Sequence, residues 1–218
     1  MADILVVVPD RPYKYVIEAI CQRSAELGIG EFTCTVHPDS RRDAGVRKYA
    51  HEIARRKRLF GAERERFALA LFDFHGSGCN AGLAACEQAV ELGLSRSTFA
   101  NAAACICVDP EFEQWLLMDL PALSQALHVD QNMVSQLHTV GQRKYPADLE
   151  KQFAYMTWRL QSDGHDIPDL SNLLMSISFS NWLTDRGFTK LIMKLREWFP
   201  HEWVDASPNS SVLTQSTH

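Results

Sequence analysis

Residues 102–119 read Ala102-Ala103-Ala104-Cys105-Ile106-Cys107-Val108-Asp109-Pro110-Glu111-Phe112-Glu113-Gln114-Trp115-Leu116-Leu117-Met118-Asp119. The first seven are apolar without interruption, as a strand buried on both faces requires. The segment after Val108 opens with carboxylates and continues with apolar residues at helical spacing, so a strand empties into the start of a helix. A second stretch repeats the arrangement: Phe67-Ala68-Leu69-Ala70-Leu71-Phe72 runs into Asp73-Phe74-His75-Gly76-Ser77-Gly78. Acids at the C-terminal ends of strands stand where open α/β sheets bind their ligands.

The flanking sequence completes an alternation. Ile4–Val8 is a short β-rich run stopped by Pro9 and Asp10, and Pro12 suits the first turn of a helix. Val16, Ile17, Ile20 and Cys21 recur at helical spacing, and Gly28 and Gly30 are expected to end that helix. Phe32, Cys34 and Val36 alternate with Thr33, Thr35 and His37, which predicts a strand with one wetter face near a sheet edge. Val46, Tyr49, Ala50, Ile53, Ala54 and Phe60 stripe a second helix; a third is expected from Ala81 to Leu92, closed by Gly93. The β-α-β-α-β-α-β order predicts an α/β fold with a mostly parallel sheet of about four strands, covered by helices. That core spans 1–119. A helical extension packed on it is expected over 120–204, with helices at Leu149–Leu160, Leu170–Thr184 and Phe188–Phe199, and the Ser-, Thr- and Asn-rich 205–218 is expected to be disordered.

Composition narrows the function classes. The chain has 218 residues, is 46% hydrophobic and carries a net charge of −5. No apolar stretch approaches the ~20 residues of a membrane span. The N-terminus lacks the basic region and cleavage site of a secretory signal, and the six cysteines show no CxxC pair, so a reducing cytoplasm is expected. Charge is uneven: residues 41–66 hold ten Lys/Arg against four acids. Arg47, Lys48, Arg55, Arg56 and Arg58 therefore suit a nucleic-acid phosphate backbone, or else form a solvated helix face.

The acids suggest the chemistry. Asp10, Asp73 and Glu113 follow three different predicted strands, so a parallel sheet would bring them to one rim, with His75 two residues beyond Asp73. Mg²⁺ usually takes one or two carboxylates, and a pair of ions about 4 Å apart stabilises both the attacking and the leaving oxygen of a phosphodiester displacement. Asp10 or His75 would then handle the proton. Plainer roles exist for each: Asp10 and Asp109 as helix caps or turn residues, Glu111 and Glu113 as complements to a helix N-terminus, His75 as a loop residue. Three other motifs carry less. Leu123–Leu137 has helix-turn-helix spacing but no Arg or Lys between Asp119 and Arg143 to reach DNA. Gly76-Ser77-Gly78 lacks a Walker lysine, and Cys79 stands near His75 without further triad logic.

The strand ending Asp73-x-His75-x-x-Gly78, followed by Pro110-x-x-Glu113-x-Trp115-Leu116-Leu117-x-Asp119, resembles small bacterial Toprim-like proteins. These are relatives of the overcoming-lysogenisation and abortive-infection phage-defence nucleases. The resemblance is strongest over Phe67–Asp119. It implies Mg²⁺-dependent cleavage or transfer at phosphodiesters, with an acid after the first strand as acid/base and an Asp-x-Asp holding metal. It also implies an ATPase or other defence protein as partner. The sequence departs at both acids. Val8-Pro9-Asp10 stands where the family has Val-Glu-Gly, and Asp73-Phe74-His75 stands for Asp-x-Asp; the imidazole favours Mn²⁺ over Mg²⁺. A catalytically degenerate subunit that binds a protein partner is the alternative.

Overall fold

The computed structural model describes residues 2–38, 41–60, 65–97, 99–100 and 102–201, apart from the side chains of residues 58–60 and 97. The side chain of Arg58 and the tail 205–218 therefore lie outside the description.

Four strands, β1 (Ile4–Val8), β2 (Cys34–Pro38), β3 (Phe67–Asp73) and β4 (Ala103–Val108), form one all-parallel sheet in the order β2-β1-β3-β4. This is the α/β layout of a Toprim-like core. β1 is central, and all five of its side chains are buried. β2 lies at an edge and is only half-buried, as its alternation predicts. The helices α1 (Arg11–Gln22), α2 (Arg42–Phe60) and α3 (Leu83–Ser97) connect the strands. Ile4, Val6 and Val8 face α1, while Leu5 and Val7 face α2 and α3. The chain thus leaves β1 in one direction to reach β2, then crosses back for β3 and β4. Right-handed crossovers in opposite directions put helices on both faces and leave a crevice at the C-terminal ends of β1 and β3.

β4 is the other edge, and side chains cap its open backbone. Cys105 N–H donates to Glu91 Oε1 at 2.9 Å and Cys107 N–H to Glu87 Oε1 at 3.0 Å, while Lys190 Nζ donates to the Cys105 carbonyl at 2.8 Å. A second chain cannot add a strand where those groups are already satisfied.

The C-terminal helices are α4 (Glu113–Leu117), α5 (Leu120–Ala126), α6 (Gln131–Lys144), α7 (Leu149–Ser162), α8 (Leu170–Ser176) and α9 (Arg186–Trp198). Leu123, Val134, Leu160, Leu174 and Leu191 belong to the same buried cluster as Ile4, Val6 and Val8. Extension and sheet therefore share one core.

Three helix boundaries differ from the sequence expectation. The first helix ends at Gln22; a 3₁₀ turn over Ser24–Leu27 separates it from Gly28, which adopts φ 62°. The third runs through Gly93 to Ser97: Gly93 keeps an ordinary helical backbone, and a Cβ there would make only normal contact, 3.5 Å from His51 Cβ of α2. The stretch 170–184 breaks after Ser176. Arg23 Nη1 takes the carbonyls of Leu174 and Ile177 at 2.9 and 2.8 Å, and Ile177 turns extended. No described helix is long and apolar enough to cross a membrane, and all six cysteines are free thiols.

Candidate functional site at the sheet switch point

Each strand exit delivers its acid by a local rule. Asp10 follows β1 and caps α1, its Oδ1 accepting from Tyr13 N–H at 3.5 Å. Asp73 ends β3 in register with Val108. Glu113 opens α4, beyond the turn that contains the cis Asp109–Pro110 peptide. Asp43 lies in the first turn of α2, which follows β2, and Glu150 in the first turn of α7. Together Asp10, Asp43, Asp73, Glu111, Glu113 and Glu150 line one cleft of about 140 Å³, with Arg42 as its only Arg or Lys among the described residues. Its place is the crevice where the strand order reverses. That is where a doubly wound sheet is expected to hold a ligand.

Asp73 is the hub. Its Oδ1 accepts from the Tyr13 hydroxyl and from Phe112 N–H at 2.8 Å, while its own N–H donates to Asp43 Oδ1 at 2.9 Å. Burial, reinforced by the charges of Asp43 and Glu113, pushes its carboxyl up to about 8 against those hydrogen bonds. At neutral pH Asp73 is therefore mostly protonated. Glu113 is pushed up to about 7, first by burial and then by Glu150, Glu111 and Asp10. Asp10 and Asp43 are also raised, mainly by burial, and the Tyr13 hydroxyl stands well above its usual range because it is buried against Asp73. Like charges crowd a poorly solvated site, and the site responds by holding protons.

The rim is less uniform than strand topology alone implies. His75 lines the cleft from an exposed turn, with its backbone N–H on the Pro110 carbonyl at 3.3 Å. Glu111 has a structural task, since its Oε2 accepts from Leu149 N–H at 3.0 Å at the start of α7. The Glu113 carboxylate accepts instead from its own backbone N–H at the start of α4. Among the described residues no three His, Cys, Asp or Glu side chains form a ready-made metal cage. The basic residues are dispersed too. Arg42 reaches the cleft, Arg47 donates from Nε to the Ser77 carbonyl at 2.6 Å, and Arg55 and Arg56 are exposed farther along α2.

Tyr13, Arg42, Asp43 and Glu150 complete the site without having been expected there. Asp43 was hidden among the cations of its own helix, although it follows a strand exit as the other acids do. Tyr13 gave no local signal, because its partner is 60 residues away.

The chain matches no protein-family model, no curated protein and no solved structure.

Proposed function

We propose that this protein performs divalent-cation-dependent chemistry at the phosphodiester bonds of nucleic acid, with Asp10, Asp73, His75 and Glu113 as its working residues. One observation supports this reading above others: six carboxylates meet in a switch-point cleft, and two of them are raised to about 8 and about 7. Such a cluster has the hard oxygen donors that Mg²⁺ or Mn²⁺ takes, and the neighbouring imidazole of His75 favours Mn²⁺. Asp73 commits Oδ1 to Tyr13 and Phe112 and keeps Oδ2 for a ligand, while the Glu113 carboxylate lines the cleft beside it. A cation held there stabilises charge on the phosphate and the leaving oxygen. Glu113 lines the same cleft and is placed to accept the proton of the attacking water. The water oxygen bonds to phosphorus, the P–O bond to the leaving group breaks, and the proton passes on to the leaving oxygen.

Anti-phage defence in a bacterial cytoplasm, beside an ATPase, is the setting that the Toprim resemblance adds to this reading. A second reading, a degenerate subunit that keeps the fold to bind a protein partner, has its own support. Asp10 and Glu111 both serve as helix caps, so part of the acid cluster has a purely structural use.

Labelled single-stranded DNA, duplex DNA and RNA incubated with Mn²⁺ or Mg²⁺ separate the two. Cation-dependent cleavage is expected from the wild type, reduced about 100-fold or more in Glu113→Gln and Asp73→Asn. Cleavage that survives both substitutions would place the chemistry elsewhere. No cleavage of any substrate with either ion would favour the partner-binding subunit.

A further inference from the structure

On the far side of the Gly76–Gly78 turn lies a second cavity of opposite character. It is a groove of about 480 Å³ between α2 and α3, walled by Arg47, Lys48 and His51 and closed at one end by Arg96. Its floor is Ala85, Ala89 and Gly93, spaced four apart on α3, so no bulky side chain fills it. Among the described residues no carboxylate lines it, although the chain as a whole carries −5. Among the described residues none of Arg47, Lys48 and Arg96 forms an ion pair. Arg47 is fixed in place by its bond to the Ser77 carbonyl, and His51 lies beside Gly93.

We infer that this groove binds the phosphodiester backbone of a nucleic acid strand. The strand then crosses the Gly76–Gly78 turn into the acid cleft, and that continuation rests on the function proposed above. Two features favour a strand over a lone phosphate. Between Ala85 and Arg96 α3 rises about 16 Å, the length of several nucleotides rather than one anion. The turn joins the two cavities along the chain, since Gly76 lines the acid cleft and Cys79, the residue after Gly78, lines the groove. Unpaired cations concentrate here, while Arg55 and Arg56 lie outside the lining. The groove therefore narrows the nucleic-acid contact to Arg47, Lys48 and Arg96.

Fluorescence anisotropy with labelled single-stranded DNA and RNA, in EDTA so that nothing is cleaved, tests the inference. Lys48 and Arg96 are exposed, so a Lys48→Ala/Arg96→Ala double variant is expected to keep its melting temperature. It should bind oligonucleotide about 10-fold more weakly, with the slope of log K against log salt reduced by about 1.4 to 1.8. Arg55→Ala/Arg56→Ala is expected to change affinity less than about 2-fold. Equal losses in the two double variants would mean only diffuse charge attraction and would overturn the site. So would binding of inorganic phosphate, by calorimetry, that depends on Lys48 and Arg96 without oligonucleotide binding. Groove-dependent binding with no cleavage under Mn²⁺ sinks the proposed chemistry but leaves the groove; cleavage with groove-independent binding does the reverse.

Discussion

In the absence of divalent ions, Asp73→Asn raises the thermal midpoint by about 6–12 °C near pH 9 and by much less near pH 4. The sign follows from the folded-state value of about 8 against 3.8 for the ordinary carboxyl. A carboxyl raised by folding adds stability below its unfolded value and loses it as pH climbs to the folded one. In that window the native state binds the extra proton, and each pH unit removes about 1.4 kcal/mol from the wild type. Asparagine never ionises, and its Oδ1 still accepts from Tyr13 and Phe112, so the variant avoids that loss. The full window would amount to more than the structure retains after local relaxation and water entry, and about 3 kcal/mol is the expected gain. Differential scanning calorimetry across the pH range reads it. A variant less stable than wild type at both ends would mean that Asp73 is an ordinary ionised acceptor in a structural network.

The second large effect falls on the link between the site and the C-terminal helices. Trp115→Ala is expected to lower stability by about 4 kcal/mol, read as a urea midpoint with unchanged slope. Trp115 is fully buried. It meets Phe188 edge-on at 5.2 Å and Phe112 at 6.2 Å, and lies 5.7 Å from the Trp182 ring. Its Nε1–H donates to Asp185 Oδ1 at 2.8 Å, and the same oxygen caps α9 through Phe188 N–H at 2.9 Å. Removing the indole thus opens a cavity at the point where α4, the 3₁₀ turn Asn181–Thr184 and α9 converge. Trp115→Phe keeps most of the volume and should cost about 1–2 kcal/mol. A loss below about 1 kcal/mol for the alanine variant would mean that this junction collapses freely or was never tightly packed.

These two residues illustrate what the chain discloses by itself and what it withholds. Apolar runs such as Ile4–Val8 and Ala103–Val108 declare buried parallel strands, because both faces of each must be apolar. Strand exits then locate the acids, since a parallel sheet has one C-terminal rim. The pattern Pro110-x-x-Glu113-x-Trp115-Leu116-Leu117-x-Asp119 is legible but mixed in meaning. Trp115, Leu116 and Leu117 are core, Asp119 caps α5 through Ala122 N–H at 3.0 Å, and only Glu113 of the pattern lines the cleft. Hydrogen bonds across long sequence separations stayed hidden. Tyr13 on Asp73, Glu111 on the start of α7, and Arg23 ending α8 all depend on tertiary placement that no local window contains. Gly93 misled because a glycine can sit inside a helix as well as end one, and α3 continues through it to Ser97.

Protonated carboxyls at the switch point are expected, above all, to yield their protons to a divalent cation. Isothermal titration of Mn²⁺ into the wild type, at about pH 6 and about pH 8.5 in two buffers of different ionisation heat, measures this directly. Binding should tighten about 10-fold or more between the two, with proton release at the lower pH, and should vanish in Asp73→Asn. Binding of equal strength at both pH values without proton exchange, or no binding at millimolar Mn²⁺, would contradict it.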